Sequence, residues 1–122
     1  MPDVIFDSSF LMAVVETPTT WYEDIVGAVG KFQPVLLGCV KEELDRLASA
    51  DDKRARTARV ALELASDFAS RPCGQAGVDD EIVSAASTGG ALIATTDGGL
   101  CRTAKGVHLR VITLHRGRVA LE

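Results

Sequence analysis

Four carboxylates fall where a layered α/β chain would bring them together. Asp7 follows the apolar run Val4-Ile-Phe6, and Asp97 follows Ala91-Leu-Ile-Ala-Thr-Thr96. Glu43 follows the run Pro34-Val-Leu-Leu37, and Asp79 comes three residues before Ile82. The separations are 36, 36 and 18 residues, each close to the length of a strand–helix unit, so each unit delivers one acid to the same sheet edge. Two carboxylates about 4 Å apart repel by roughly 4 kcal/mol at an effective dielectric near 20. Such a cluster persists only where some acids hold protons or a cation neutralises them. Oxygen ligands without His or Cys suit Mg²⁺ or Mn²⁺ and disfavour zinc. Ions held this way can activate water without a side-chain nucleophile, so a supply of only two histidines is no obstacle. Each acid also has a local reading of its own. Asp79 could be an N-cap, Asp97 a turn residue before two glycines, Asp7 a cap for the helix after Ser8, and Glu43 a solvated helix residue.

The elements that must position these acids are legible in the apolar pattern. Val4–Phe6 reads as a buried strand feeding a helix that starts at Ser8-Ser9 and carries Phe10–Val15. Pro18 breaks the chain, and Trp21, Ile25, Val29 and Phe32 then fall at helical spacing. Pro34–Leu37 is a second strand, followed by an amphipathic helix from Val40 to about Ser49 whose first turn carries Glu43. Asp51 opens a longer helix running to about Phe68, and Arg71–Gly77 reads as a loop. Asp79 begins a further helix stopped by Gly89-Gly90, Ala91–Thr95 is a strand, and a short helix spans Leu100–Lys105. Leu109–Thr113 and Arg118–Leu121 are the last strands, joined as a hairpin around Arg116-Gly117. Short strands alternating with helices imply a mainly parallel sheet covered on both faces, a three-layer α/β/α sandwich with residues 1–122 as one domain. Sheets of this kind place their chemistry outside the carboxyl ends of the strands.

Composition narrows the function classes. The 122 residues are 47% hydrophobic and 25% charged, which is globular rather than disordered. No apolar run is long enough to cross a bilayer, and no basic segment precedes Phe10–Val15, so neither a membrane span nor a signal peptide is expected. Cys39, Cys73 and Cys101 are odd in number and widely spaced, which predicts neither a disulfide framework nor a zinc site and fits a reducing cytoplasm. Residues 1–100 carry 16 acidic and 8 basic side chains, whereas residues 101–122 carry five basic and one acidic. The overall balance of −4 argues against non-specific nucleic-acid binding by the whole surface but leaves room for a basic rim beside an acidic site. Trp21 and Phe32 read as core, His108 and His115 as surface residues, Cys39 as a packed thiol, and Lys53-Arg-Ala-Arg56 as a solvated helix face.

Four segments together carry a family resemblance: Val4-Ile-Phe-Asp-Ser-Ser-Phe-Leu11, Cys39-Val-Lys-Glu-Glu-Leu-Asp-Arg-Leu47, Val78-Asp-Asp-Glu-Ile82 and Leu92-Ile-Ala-Thr-Thr-Asp97. In this order and at these intervals the chain resembles the PIN-domain nucleases over nearly its whole length. Within them it looks most like the archaeal and eukaryotic branch tied to small-subunit ribosomal RNA processing, and less like the toxin half of toxin–antitoxin pairs, which stays an alternative subclass with the same catalysis. The resemblance implies a metal-dependent endoribonuclease, with Mg²⁺ or Mn²⁺ held by Asp7, Glu43, Asp79 and Asp97 as its catalytic acids. The family glutamate directly precedes a leucine, which selects Glu43 over Glu42, and the position three before Ile82 selects Asp79 over Asp80. Ser8, Thr95 and Asp80 match supporting positions. RNA, in this branch pre-ribosomal, is the implied partner, and pairing of two copies is common in the family. Arg102 and Lys105, just after Asp97, are the candidates for phosphate contacts. The chain departs from the pattern at Ser9, where asparagine is common, and at Gly98-Gly99, where a charged residue is usual. These departures predict a lost polar contact and a looser Asp97 loop, and with them an alternative in which the fold serves as a binding module with a silent site. A response-regulator receiver shares the length but needs an acidic pair after the first strand and an aspartate ending a middle strand, and neither is present.

Overall fold

The computed structural model describes residues 1–122. Twelve elements alternate along the chain: β1 (Asp3–Phe6), α1 (Ser8–Glu16), α2 (Trp21–Val29), β2 (Gln33–Leu37), α3 (Gly38–Ala48), α4 (Lys53–Leu64), β3 (Ala69–Arg71), α5 (Val78–Gly89), β4 (Leu92–Ala94), α6 (Gly98–Gly106), β5 (Val111–His115) and β6 (Arg118–Leu121). The strands form one sheet in the order β3-β2-β1-β4-β5-β6. All neighbours are parallel except the β5–β6 hairpin. Parallel strands need crossovers, and right-handed crossovers place α1–α4 on one face and α5–α6 on the other. In accord with this, α1, α3 and α4 pack on one another and α5 packs on α6. The result is the three-layer α/β/α sandwich expected.

Burial on both faces explains why β1, β2 and β4 are nearly continuous apolar runs rather than alternating ones. Phe6, fully buried at the end of β1, is the hub of an aromatic cluster. Its ring centroid lies 5.5 Å from Phe10, 5.6 Å from Trp21, 6.4 Å from Phe32 and 5.1 Å from Phe68. The chain leaves β1 from this fixed point, so the next residue, Asp7, is placed by the core.

The expected elements are present, but α2 stops at Val29 and leaves Phe32 outside it, β5 spans Val111–His115 rather than Leu109–Thr113, and three further differences bear on the site or its surroundings. The helix expected to reach Phe68 ends at Leu64, and the segment read as loop contains an edge strand, β3. That strand has no apolar alternation, because Ser70 and Arg71 are exposed at the sheet edge. Phe68 therefore serves the aromatic cluster from a turn. Secondly, α3 begins at Gly38, which puts Glu43 in its second turn rather than its first. Thirdly, Cys39 and Cys73 are joined by a disulfide, contrary to the expectation of separate thiols. Their wide sequence separation hid a pairing that the crossover through β3 creates, with Cα atoms 5.9 Å apart. Cys101 remains free. The hairpin turn falls at Arg116-Gly117, with φ of 53° and 78°. Positive φ at both central residues is the type I′ geometry that matches strand twist. No helix is long and apolar enough to cross a membrane.

Candidate active site

The strand order reverses direction between β1 and β4, the switch point where open α/β sheets form a crevice beyond their carboxyl ends. A pocket of about 480 Å³ lies there. Asp7, Glu43, Asp79 and Asp97 all line it, delivered by β1, α3, α5 and the end of β4 respectively. Four segments distant in sequence thus bring one acid each to the same crevice.

Asp7 is 5% exposed, and it is the only buried carboxylate in the chain. It occupies the N-cap position of α1 but makes no capping bond with its side chain. Instead its Oδ2 accepts hydrogen bonds from Ser9 Oγ at 2.6 Å and Thr95 Oγ1 at 2.8 Å. Burial pushes the Asp7 carboxyl above its ordinary range, against the lowering effect of the two hydroxyls, and the negative charge of Glu43 adds to the rise.

The other acids are held differently. Glu43 is half-buried and accepts a hydrogen bond from Ser8 Oγ through Oε1. Its neighbour Glu42 is exposed and does not line the pocket, whereas Leu47, one turn beyond Glu43 on the same helix face, does. Asp97 caps α6: its Oδ1 accepts from Gly99 N at 2.7 Å and Leu100 N at 3.2 Å. The local reading of Asp97 as a turn and cap residue is therefore true of one oxygen, and the side chain faces the crevice as well. Asp79 sits in the first turn of α5 without capping it. Partial burial raises its carboxyl, and the charges of Asp7, Asp97, Glu43 and Asp80 raise it further. Asp7, Asp97 and Glu43 are thus near enough to Asp79 for their charges to act on it. Asp80 itself is exposed and outside the pocket lining. As placed, no three of the acids close on one point tightly enough to hold an ion together.

Neither departure from the family pattern leaves a gap. Ser9 Oγ donates to Asp7, lies 3.1 Å from Thr95 Oγ1 and accepts from Thr96 N at 3.1 Å, so it ties the start of α1 to the end of β4. The expected lost contact at Ser9 is thus replaced by three. Thr95 Oγ1 also accepts from Asp97 N at 3.0 Å. A Cβ at Gly99 would lie 3.2 Å from Asp97 Oδ1, so the second glycine permits the close cap rather than loosening it.

Arg102 and Lys105 lie on α6 just after Asp97, as the sequence suggested, but outside the pocket lining. Lys105 lies in the last turn of α6, paired with Glu122 at 2.9 Å, and Arg102 folds back toward Gly98. The cation that does line the pocket is Arg54, read from sequence as part of a solvated face, and Glu16 at the end of α1 adds a fifth carboxylate. Both were invisible to local pattern because α1 and α4 meet only through the fold.

The comparisons with known proteins bear on this geometry. A sequence profile of the family described as PIN like domain matches residues 4–118. No protein of curated function is significantly similar to the chain. Among solved structures, that of the PIN domain endonuclease Utp24 superposes with a TM-score of 0.83 at 24% identity, covering 98% of this chain and 90% of that one. A domain of a functionally unknown protein from Methanocaldococcus jannaschii gives a TM-score of 0.67 at 16% identity, covering 100% and 97%. PAE2754 from Pyrobaculum aerophilum gives 0.57 at 18%, covering 86% and 81%. At these identities the likeness is one of fold.

Proposed function

The chain belongs to the PIN-like domain family, and on that premise we propose that it is a divalent-metal-dependent endoribonuclease whose site is the acidic crevice between β1 and β4. The observation that carries this reading is the convergence of Asp7, Glu43, Asp79 and Asp97 from four separate segments on one pocket. Asp7 is buried, its side chain does not cap α1, and its carboxyl is held above the ordinary range by burial, the setting of an acid that a bound cation would relieve. The structurally similar Utp24 is called a PIN domain endonuclease. RNA of the pre-ribosomal kind is the substrate class, on the sequence likeness of Cys39–Leu44 and Val78–Asp80 to that branch. The cytoplasm is the compartment this reading assigns, and there the Cys39–Cys73 pair would meet a reducing thiol pool.

The donor set fits a hard cation: the polar lining of the pocket is carboxylate and hydroxyl oxygen with one guanidinium, and no imidazole or thiol is present. Asp7, Glu43, Asp79 and Asp97 are the residues that would hold Mg²⁺ or Mn²⁺. A bound divalent ion supplies the positive charge that water activation and a departing ribose oxygen both require. The chain's own part is to keep the acids aligned before any ion arrives. Ser9 and Thr95 fix the Asp7 plane, Ser8 fixes Glu43, and the α6 amides fix Asp97. Exposed Asp79 lies at the pocket wall, where mutual repulsion favours closing on a cation. A silent binding module finds less support, because the two departures that suggested it are occupied by hydrogen bonds bracing Asp7 and Asp97.

The test is cleavage of single-stranded and structured RNA by the purified protein. Cutting in Mg²⁺ or Mn²⁺, loss in EDTA, restoration by added Mn²⁺, and 5′-phosphate with 3′-hydroxyl ends are expected. Binding without cutting across several metals and substrates would overturn the assignment. Thr95→Val gives a second expected outcome. It deletes the donor to Asp7 and the acceptor of Asp97 N together, so Mn²⁺ affinity, measured by calorimetric titration, should fall about 10–100-fold, as for other groups that orient ligands.

A further inference from the structure

The acidic pocket opens sideways. Glu16 and Arg54 line it and also line a second groove, of about 740 Å³, between the last turn of α1 and the first turn of α4. Lys53, Thr57 and Thr17 continue that groove. Thr17 in turn borders a depression against the β5–β6 hairpin tip, which carries Arg116. Because β5 runs parallel to β4, and β4 to β1, the tip emerges at the same carboxyl edge as Asp7. The three depressions are thus neighbours in turn, the first two sharing Glu16 and Arg54 and the last two sharing Thr17, along a line leading away from the acids.

The charges along this track are unspent. Lys41, Arg71, Lys105 and Arg118 are held in ion pairs, whereas the side chains of Lys53, Arg54 and Arg116, like those of Lys31, Arg46, Arg56, Arg102 and Arg110, make no ion pair and no hydrogen bond within the protein. What sets Lys53, Arg54 and Arg116 apart is that they line this track. The hairpin tip is itself braced: Arg118 grips Asp24 through Nε at 2.9 Å and Nη2 at 3.1 Å, and Asp24 also accepts from Val119 N. Asp52 fixes the first turn of α4 by accepting from Ala55 N at 2.8 Å, which sets Lys53 and Arg54 beside α1. Glu16, the one anion of the track, stands at its mouth among the pocket carboxylates. In a chain with a net charge of −4, three unpaired cations along one groove, with hydroxyls and no aromatic ring, mark a surface for a polyanion backbone rather than for stacked bases.

We infer that this groove, running from Arg54 past Lys53 to Arg116, is the path of a single RNA strand as it leaves the acidic pocket, held through its phosphates and without base readout. The inference rests on the nuclease reading and names the side of the site from which substrate is held: the α1–α4 side, not the α6 side that carries Arg102 and Lys105.

The experiment uses the full chain carrying Asp7→Asn, so that RNA is not consumed, and a fluorescently labelled oligouridylate. Anisotropy across a KCl series gives the slope of log affinity against log salt. Lys53→Ala and Arg116→Ala should each weaken binding and reduce that slope by about 0.7, the loss of one single-strand phosphate contact. Arg110→Ala removes the same charge at the opposite end of β5 and should leave the slope unchanged. Circular dichroism confirms that each variant folds. Slopes for Lys53→Ala and Arg116→Ala equal to that of Arg110→Ala overturn the path, while cleavage by wild-type protein, assayed in parallel, separately keeps or removes the nuclease reading. Reduced slopes in a protein that never cuts would retain the path as a binding surface and discard the catalysis.

Discussion

Asp7→Asn protein is expected to lose RNA cleavage by on the order of a thousandfold in saturating Mn²⁺, equivalent to about 4 kcal/mol of transition-state stabilisation, while remaining folded. Of the four acids Asp7 is the deepest, at the carboxyl end of central strand β1 and beside β4. Asparagine keeps the shape and retains an oxygen to accept from Ser9 and Thr95, so the change removes charge and little else. The same reasoning gives an opposite sign for stability. Without metal the Asp7 carboxylate is desolvated and faces the negative charge of Glu43, and both effects disfavour the folded state when it is ionised. In EDTA at neutral pH, Asp7→Asn should therefore melt above wild type. Added Mn²⁺ should narrow or invert the difference, since only the wild type then gains from binding. Cleavage near the wild-type rate, or a variant less stable than wild type in EDTA, would contradict this account.

Phe6→Ala carries the largest expected effect on folding, a loss of about 3–5 kcal/mol in urea denaturation. The side chain is fully buried and its ring meets four other aromatic residues contributed by α1, α2, the approach to β2 and the approach to β3. Removing it opens a void where these layers meet. The typical total stability of a domain is about 5–15 kcal/mol, so the variant stands near the edge of folding. Phe6→Leu, which refills most of the space, should lose markedly less. Because Phe6 is the residue that hands the chain to Asp7, folded Phe6→Ala should also cut RNA more slowly than Phe6→Leu. A loss below about 1 kcal/mol would show that the aromatic cluster is not the anchor of β1.

The parts of this molecule that follow a period were legible in its sequence. Val4–Phe6, Leu92–Ala94 and the hairpin at Arg116-Gly117 announce themselves through apolar runs and turn chemistry, and the parallel sheet follows from their alternation with helices. The placement of Asp7 and Asp97 followed from the rule that chemistry gathers at strand carboxyl ends. What was not legible depends on contacts between elements. β3 is three residues of edge strand with an exposed serine and arginine, and its existence depends on pairing with β2. The disulfide joins residues brought together by that crossover. Arg54 and Glu16 enter the pocket because α1 and α4 pack, which neither helix encodes alone. The charges of Arg102 and Lys105 were visible, but not that Lys105 would be neutralised by Glu122. Likewise Ser9 differs from the family residue, yet its hydroxyl finds Asp7, Thr95 and Thr96 only in three dimensions.

Anomalous diffraction from a crystal of the wild-type protein soaked in Mn²⁺ tests the central claim most directly. An ordered Mn²⁺ bonded to Asp7, with Glu43, Asp79 or Asp97 completing its oxygen ligands in the crevice between β1 and β4, is the predicted result. Manganese absent from that crevice at millimolar concentration, or ordered only at other carboxylates of the surface, would contradict it.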